Sequence, residues 1–296
     1  MILPAILLAP SIFAGNIEIG AISQSQIAFE RIWLSLSLII FQFEKLTALT
    51  AGIQRIFDLN EYLKSLSATQ TEKNNLIKVK EAKSLAFKNI TLVTPDRHNQ
   101  IIQNLSLSIK PQENILIVGN SGVGKTSLVR AIGGLWNSGS GTINKPRSAD
   151  ILFLPQSPYL ILGSLKEQLF YPHLDKNIPD EKLLETLHQA NLDRVLNRFG
   201  SLNAREDWSQ VLSRGEQQRL AFTRLLLHQP KYAILDESTS ALDGDNQDLL
   251  YRLLASTNIT YISVGHRPNL LPYHQQVLQL IDSQTWNLMP ASEFSF

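Results

Sequence analysis

The sequence predicts an α/β nucleotide-binding fold, and three observations support this prediction. An apolar run leads directly into a glycine-rich loop, and a helical pattern follows the loop. Strand-like runs crowd together before this loop, whereas after it they alternate with helical patterns. The strand-like runs are residues 77–79, 85–93, 105–109, 115–118, 151–154, 232–235 and 260–264, and the clearest helical patterns are residues 180–198 and 216–227. This order is typical of an α/β domain with a small antiparallel β-subdomain.

The glycine-rich loop is the strongest local signal for a ligand. Residues 119–126 read GNSGVGKT between a strand pattern and a helix start. Glycines let several backbone N–H groups converge on phosphates, and the helix N-terminus adds partial positive charge. We expect Lys125 to reach the outer phosphates and Thr126 to offer its hydroxyl to Mg²⁺. The residues predicted to bind a nucleoside triphosphate are Gly119, Asn120, Ser121, Gly122, Gly124, Lys125, Thr126 and Ser127.

Two carboxylates follow a later buried-strand pattern. The run at residues 231–235 ends in Asp236 and Glu237. At the end of a central strand beside a phosphate loop, a carboxylate lies where Mg²⁺ and its waters need an anion. We therefore assign Asp236 to the metal and Glu237 to the attacking water. An acidic strand cap would give the same local pattern, and the position after the glycine loop favours the functional interpretation.

Further segments in the same order resemble the motifs of ATP-binding cassette (ABC) ATPases. Residues 211–220 read VLSRGEQQRL, similar to the family signature LSGGQ followed by a helix. Gln156 resembles the Q-loop glutamine, residues 240–243 resemble the D-loop, and residues 263–267 resemble the switch-histidine segment. This resemblance extends over nearly the whole chain past Ala82. It implies an ABC nucleotide-binding domain with an antiparallel β-subdomain and a helical subdomain.

The resemblance also implies a role for each matched residue. ATP and Mg²⁺ are the implied ligands, and ATP hydrolysis is the implied reaction. The implied catalytic residues are Glu237, His266 and Gln156, and the implied metal-side residues are Thr126, Gln156 and Asp236. Ser213, Gly215 and Glu216 would serve the ATP that a second subunit holds, with Asp243 in the D-loop. A working site therefore implies a dimer.

Two departures from the family pattern affect these expectations. Arg214 replaces one residue of the signature's glycine pair, and Glu216 replaces its glutamine, whereas Gly215 is retained. Thr94 stands where the family has a tyrosine that stacks on adenine. We therefore leave nucleobase selectivity open.

The first 64 residues have a different character. An apolar run at residues 32–41 lies inside a proline-free pattern from residue 22 to residue 59. One helix of that length would exceed about 50 Å, enough to cross a membrane and project beyond it. Residues 46, 49, 53 and 56 form an apolar stripe at helical spacing. A soluble helical hairpin remains the alternative, and the apolar start of the chain lacks the basic residues of a signal peptide.

Finer matches resemble the peroxisomal-type fatty-acyl transporters and their bacterial SbmA/BacA-like relatives. These matches are GLW at residues 134–136, LPQSPY at 154–159 and GEQQRLA at 215–221. In those proteins a membrane domain precedes the cassette. The resemblance implies that residues 1–64 are a transmembrane-type helical hairpin, the last two helices of that domain. Residues 65–80 would be a linker, and residues 81–296 the ABC ATP-binding domain.

Composition narrows the function classes and the partners. The net charge is +1 and cysteine is absent, which excludes disulfides, zinc-thiolate sites and a broad nucleic-acid surface. We expect a membrane protein of the inner or plasma membrane, in contact with lipid, with its ATPase domain in the cytoplasm. Its expected partner is a second copy or a companion ABC half-transporter, and the missing membrane helices could come from another chain. The alternatives are a soluble ABC ATPase without transport and a truncated remnant that binds ATP without transport.

Overall fold

A computed structural model describes residues 3–69, 76–173 and 178–296 of the chain. The chain divides into two units, Met1–Lys73 and Asn74–Phe296. The first unit is helical, and the second contains every strand of the described residues.

The first unit consists of helices α1 (Leu3–Phe13) and α2 (Gly20–Thr69), which contact each other. The turn between them contains Gly15 in the left-handed conformation, with φ of 74°. Helix α2 has 50 residues and no proline, so it is roughly 75 Å long. It includes the predicted helical pattern and continues through residues 65–69 of the predicted linker, whereas residues 70–75 lie outside the described residues.

Large apolar side chains are exposed along α2. Several of them remain more than half exposed, namely Ile32, Trp33, Leu34, Leu36, Leu38, Leu46, Leu49, Ile53 and Ile56. Within residues 3–69, 76–173 and 178–296, no helix has the combination of length and apolar character that crossing a membrane requires.

The strands of the second unit form three sheets. They are β1 (Lys78–Glu81), β2 (Leu85–Val93), β3 (Gln100–Ile109), β4 (Ile115–Gly119), β5 (Gly139–Lys145), β6 (Ile151–Leu154), β7 (Gly163–Ser164), β8 (Arg205–Glu206), β9 (Tyr232–Asp236), β10 (Thr260–Val264), β11 (Gln276–Leu280) and β12 (Trp286–Pro290). The central sheet has the order β12-β11-β4-β10-β9-β6, and only its β12 edge is antiparallel. A second sheet has the order β1-β5-β2-β3, and β7 pairs with β8.

The described residues of the second unit form seven α-helices. They are α3 (Lys125–Gly133), α4 (Leu165–Phe170), α5 (Asp180–Gln189), α6 (Asp193–Phe199), α7 (Trp208–Val211), α8 (Arg214–His228) and α9 (Gly244–Ala255). The predicted helical pattern at residues 180–198 is therefore divided between α5 and α6. Asn191 lies between them with φ of 56°, a conformation that ends a helix.

Two apolar clusters hold the second unit together. One packs α8 and α9 on the central sheet and includes the fully buried Trp208, Phe222 and Tyr251. The other packs the β2–β3 sheet and α3 on the same sheet, with Ile115 and Ile117 at its centre. Strand β4 is buried on both faces, as expected for a central parallel strand.

The smaller sheet is antiparallel except for the parallel pair β1 and β5. This edge pair makes the sheet mixed rather than the purely antiparallel β-subdomain that the sequence predicts. Strand β5 reads GSGTINK and is too polar to be recognised from an apolar pattern.

Candidate functional site

The parallel strands of the central sheet bring the predicted site residues to one edge. Strands β4, β6, β9 and β10 run in the same direction, and residues at or near their carboxyl ends are paired. Leu154 pairs with Leu235, and Val264 pairs with both Asp236 and Ile117. The carboxyl ends of these strands are where α/β sheets bind ligands.

The phosphate loop joins β4 to α3 through strained glycine positions. Gly119, Gly122 and Gly124 have φ of 148°, 82° and 107°. A Cβ atom at Gly119 would lie 2.3 Å from the Leu280 carbonyl oxygen, and one at Gly124 would lie 2.3 Å from Ile101. A side chain at either position would therefore disrupt the loop.

Lys125, the first residue of α3, closes this loop. Its ammonium donates hydrogen bonds to the carbonyl oxygens of Gly119 and Asn120, at 2.7 and 2.8 Å. The cation is thus held against the backbone of Gly119 and Asn120. A phosphate approaching the N-terminus of α3 would meet the partial charge of the helix together with this full positive charge.

Thr126 faces the carboxylate predicted for the metal. Its hydroxyl lies 3.5 Å from Oδ1 of Asp236, the last residue of β9. Burial raises the pKa of Asp236, and the neighbouring charge of Glu237 raises it further. The Thr126 hydroxyl and the nearby cations Arg130 and Lys125 oppose this rise in pKa. The structure therefore places Thr126, at the end of the phosphate loop, next to Asp236, at the end of β9, as the sequence predicts.

Glu237 is held by the predicted Q-loop residue and by the neighbouring strand. The Gln156 amide donates a hydrogen bond of 3.1 Å to Oε2 of Glu237. The Glu237 backbone has φ of 48°, and its N–H donates to the Val264 carbonyl at 3.2 Å. The unusual backbone conformation turns this residue away from the strand direction of Asp236, so the two carboxylates take different positions.

His266 follows β10 and is exposed to solvent. It lines the same small surface cavity as Glu237, Thr239 and Leu270. The structure thus places the predicted switch histidine beside the predicted catalytic glutamate.

The signature segment is built as a helix cap. Ser213 is the N-cap of α8, and its hydroxyl accepts the Glu216 N–H at 3.3 Å. The Glu216 carboxylate in turn accepts the Ser213 N–H at 2.8 Å and hydroxyl at 3.0 Å. This reciprocal pair is a capping box, which satisfies donors that the start of a helix leaves open.

Arg198 stabilises the negative charge that Glu216 introduces. Its guanidinium donates to Glu216 at 3.2 Å and to the Val211 carbonyl at 3.3 Å. Burial opposes ionisation of Glu216, but hydrogen bonds from Ser213 and Arg198 outweigh it and lower the pKa of Glu216. The glutamate that departs from the family signature is therefore ionised and paired.

Gly215 packs against the D-loop. A Cβ atom there would lie 3.4 Å from the Ala241 carbonyl oxygen and 3.5 Å from Leu242. Asp243 ends the D-loop as the N-cap of α9, because its carboxylate accepts the Asn246 N–H at 2.8 Å. Hydrogen bonds from the Asn246 backbone and side chain lower the pKa of Asp243.

Two residues that the sequence analysis did not single out connect these motifs. The buried Gln218 amide donates to the Gln156 carbonyl at 2.9 Å and accepts the Ala241 N–H at 3.0 Å. Arg267 donates to the carbonyl oxygens of Ser240 and Leu242, at 2.8 and 2.7 Å. Both lie within recognised motifs, but their contacts join segments far apart in the sequence, so no local pattern reveals these bridging roles.

Thr94 lies in the tight turn between β2 and β3. Its backbone pairs with Asn99, and its hydroxyl bonds to Asp96. With Ile101, Ser121 and Ile281 it lines a surface cavity of about 500 Å³ beside the phosphate loop. The cavity is large enough for a nucleoside and has no aromatic side chain among its lining residues.

The donor set suits a hard divalent cation. A hydroxyl, a carboxylate and an amide oxygen, from Thr126, Asp236 and Gln156, are the oxygen ligands that Mg²⁺ prefers. In the described part of the chain, no group of three or more His, Cys, Asp or Glu residues forms a metal cage.

Comparisons with known proteins agree with this geometry. A family model described as ABC transporter matches residues 102–240. An uncharacterized ABC transporter ATP-binding protein of Synechocystis sp. is 44% identical over 298 residues, covering 98% of this chain and 45% of that protein. ABC transporter D family member 2, chloroplastic, of Arabidopsis thaliana is 38% identical over 345 residues, covering 94% of this chain and 49% of that protein.

A third relative is matched over a shorter stretch. The lysosomal cobalamin transporter of Homo sapiens is 42% identical over 211 residues, covering 68% of this chain and 35% of that protein. The chain spans about half the length of the two longer matches or less. Because the family match, these relatives and the ordered motifs agree, the chain carries an ATP-binding domain of the ABC transporter family, the domain that hydrolyses ATP in this family.

Proposed function

We propose that this chain binds and hydrolyses ATP and couples hydrolysis to transport across a membrane. The observation that carries the ATPase proposal is the hydrogen bond of 3.1 Å between Gln156 and Glu237, beside the contact between Thr126 and Asp236. A carboxylate held next to a phosphate loop by a neutral amide keeps its charge available for a water molecule.

The residues divide the work of hydrolysis. The loop at residues 119–127 binds the phosphates through backbone N–H groups, with Lys125 as the cation. Thr126, Asp236 and Gln156 would hold Mg²⁺, which would supply positive charge to the phosphate oxygens. Glu237 accepts a hydrogen bond from the attacking water, and His266 lies beside it to contact the γ-phosphate.

We propose that hydrolysis uses two subunits. Ser213, Gly215 and Glu216 lie at the start of α8, where a helix N-terminus is suited to an anion. These residues and Asp243 of the D-loop would complete the ATP site of a second copy or a companion half-transporter. The reciprocal arrangement gives two composite sites for each dimer.

For residues 1–64 we propose a membrane location. The many exposed apolar side chains along α2 support a membrane location, because soluble monomers rarely expose large contiguous apolar patches. The segment would be the end of a membrane domain, in contact with lipid and with further membrane helices of the same polypeptide or a companion chain. The domain at residues 81–296 would then lie on the cytoplasmic side of an inner or plasma membrane.

Two other functions are compatible with the same ATPase site. A soluble ABC ATPase would act as a clamp on another macromolecule, and a truncated remnant would bind ATP without transport. The exposed α2 surface favours the transporter over the soluble clamp. We assign no transported substrate, because one relative's name specifies cobalamin and the names of the two longer matches specify none.

Membrane fractionation tests the transporter proposal. The full chain should be found in the membrane pellet and require detergent for extraction, whereas a chain starting at Leu76 should stay in the supernatant. The shorter chain serves as the matched control, because it keeps all the phosphate-loop and signature residues. A full chain that behaves as a monodisperse soluble monomer without detergent would overturn the membrane proposal.

A further inference from the structure

The loop that carries His266 is closed at its base by two buried side chains. It connects β10 to β11, which lie on opposite sides of β4. Ser263 lies near the end of β10, and His274 lies two residues before β11. Their side chains meet at 2.8 Å, between the serine Oγ and the histidine Nε2. Ser263 is fully buried, and His274 is 5% exposed.

The hydrogen-bond partners fix where the protons are. The other imidazole nitrogen, Nδ1, lies 2.8 Å from the Leu270 carbonyl, which accepts hydrogen bonds but cannot donate them. Nδ1 of His274 therefore carries the proton, and Nε2 of a neutral ring accepts the Ser263 hydroxyl. The Tyr251 hydroxyl donates to Ser263 at 3.0 Å and completes a chain of hydrogen bonds in one direction.

The surroundings of His274 favour this neutral ring. The rings of Tyr251 and Tyr261 pack on it, with centroids 5.8 and 5.3 Å away, and Tyr273 stacks against Tyr251. Burial lowers the pKa of His274 to about 4. A neutral histidine with both nitrogens paired is a rigid connector rather than a titrating group at neutral pH.

Leu270 connects His274 to the backbone next to His266. Its carbonyl is held by His274, while its side chain packs so tightly on Gly265 that a Cβ there would lie 2.5 Å from Leu270 Cδ1. Leu270 also lines the cavity that contains Glu237 and His266. Movement of Leu270 would therefore displace the backbone directly before His266.

We propose that His274 is a positioning residue, which holds the loop of residues 264–273 so that His266 stays in place beside Glu237. This inference rests on the proposed ATPase function and deepens it. The competing interpretation is a core histidine that contributes to folding alone. The two differ in whether the effect of His274 on turnover passes through His266.

A double-mutant cycle separates these interpretations. We compare kcat and KM for ATP in the full chain with His274→Phe, His266→Ala and both changes. Since misplacement of a catalytic group by about 1 Å can cost up to about 100-fold, His274→Phe should lower kcat by at least about 10-fold and change KM by less than about 2-fold. In the His266→Ala background, His274→Phe should have almost no further effect on kcat.

Two further variants control for folding. Ser263→Ala removes the hydroxyl that donates to Nε2 of His274, with little change in volume. Like His274→Phe, it should lower kcat. Tyr232 begins β9, at the end opposite to Asp236, and its buried hydroxyl donates a hydrogen bond to the Ile109 carbonyl. Tyr232→Phe removes this hydroxyl and should reduce stability without changing kcat. Equal loss of kcat by His274→Phe in both His266 backgrounds would overturn the proposal.

Amide hydrogen exchange provides a readout that does not need turnover. In Ser263→Ala, exchange should rise at residues 264–267, including the Gly265 N–H that donates to the Ile117 carbonyl. Exchange in β9 should remain as in the parent. An unchanged pattern at residues 264–267 would overturn the positioning role, whereas an inactive parent chain would overturn the ATPase proposal instead.

Discussion

The two halves of the predicted machinery are built in different ways. On the phosphate-loop side, residues far apart in sequence meet within this chain: Thr126 faces Asp236, and Gln156 holds Glu237. On the signature side, Ser213 and Glu216 bond to each other and cap a helix, and Arg198 donates a hydrogen bond to Glu216. The first arrangement brings chemical groups together, whereas the second presents a rigid helix start.

We expect this difference to decide where each half binds its ligand. Convergent groups at the ends of parallel strands surround a site belonging to the same chain. For the capped helix start, with a packed glycine behind it, we propose a phosphate that another subunit brings, because the start of a helix carries partial positive charge. Gln218 and Arg267 connect the two sides through the D-loop, so a change at one side can reach the other.

The largest expected effects are on the phosphate-loop side. Lys125→Ala should weaken ATP binding by at least about 100-fold, because it removes the cation of the loop. Glu237→Gln should keep ATP binding and lower turnover by about 1000-fold, because the amide cannot act as a base. Calorimetric binding and phosphate release measure the two quantities, with the exposed Lys110→Ala as control. Equal turnover in Glu237→Gln and the parent would contradict the assignment.

A smaller and different effect is expected on the signature side. Ser213→Arg should leave binding to the subunit's own phosphate loop within about 3-fold, but lower turnover by about 10- to 100-fold. The same measurements apply, and Ser256→Arg on the exposed end of α9 controls for an added arginine. Loss of binding in Ser213→Arg would show that the two sides do not act separately.

The smallest effect concerns the ion pair within the signature side. Arg198→Ala should lower the free energy of unfolding by about 0.5–1.5 kcal/mol at pH 7, because Glu216 loses a charged partner. The folded pKa of Glu216 is lowered, so its stabilisation is present above its unfolded pKa and is lost as pH falls through the folded value.

The cost of Arg198→Ala should therefore shrink below about pH 4, the usual range for a glutamate. Urea unfolding at pH 7 and in this acid range measures it. Arg194→Ala, an exposed change on the same helix, is the matched control. A cost that is constant with pH would mean that Arg198 acts through the Val211 carbonyl rather than through Glu216.

The sequence was most informative where the chemistry is local. The glycine loop, the strand before Asp236 and the helix that follows the signature each have a signal within consecutive residues, and the structure has them where they were predicted. Strand β5 and the break at Asn191 were missed because their signals are polar or conformational. The bridging roles of Gln218 and His274 depend on tertiary contacts, so a single sequence cannot reveal them.

The central claim is that each ATP site uses the phosphate-loop side of one chain and the signature side of another. The most direct test measures specific ATPase activity of the full chain in detergent over a wide range of protein concentration, with oligomeric state followed by light scattering. Specific activity should rise with concentration and level off as dimers form. Mixing Lys125→Ala with Ser213→Arg should restore part of the activity, because one composite site in the heterodimer keeps both residues. Concentration-independent turnover by a monomer would contradict the claim.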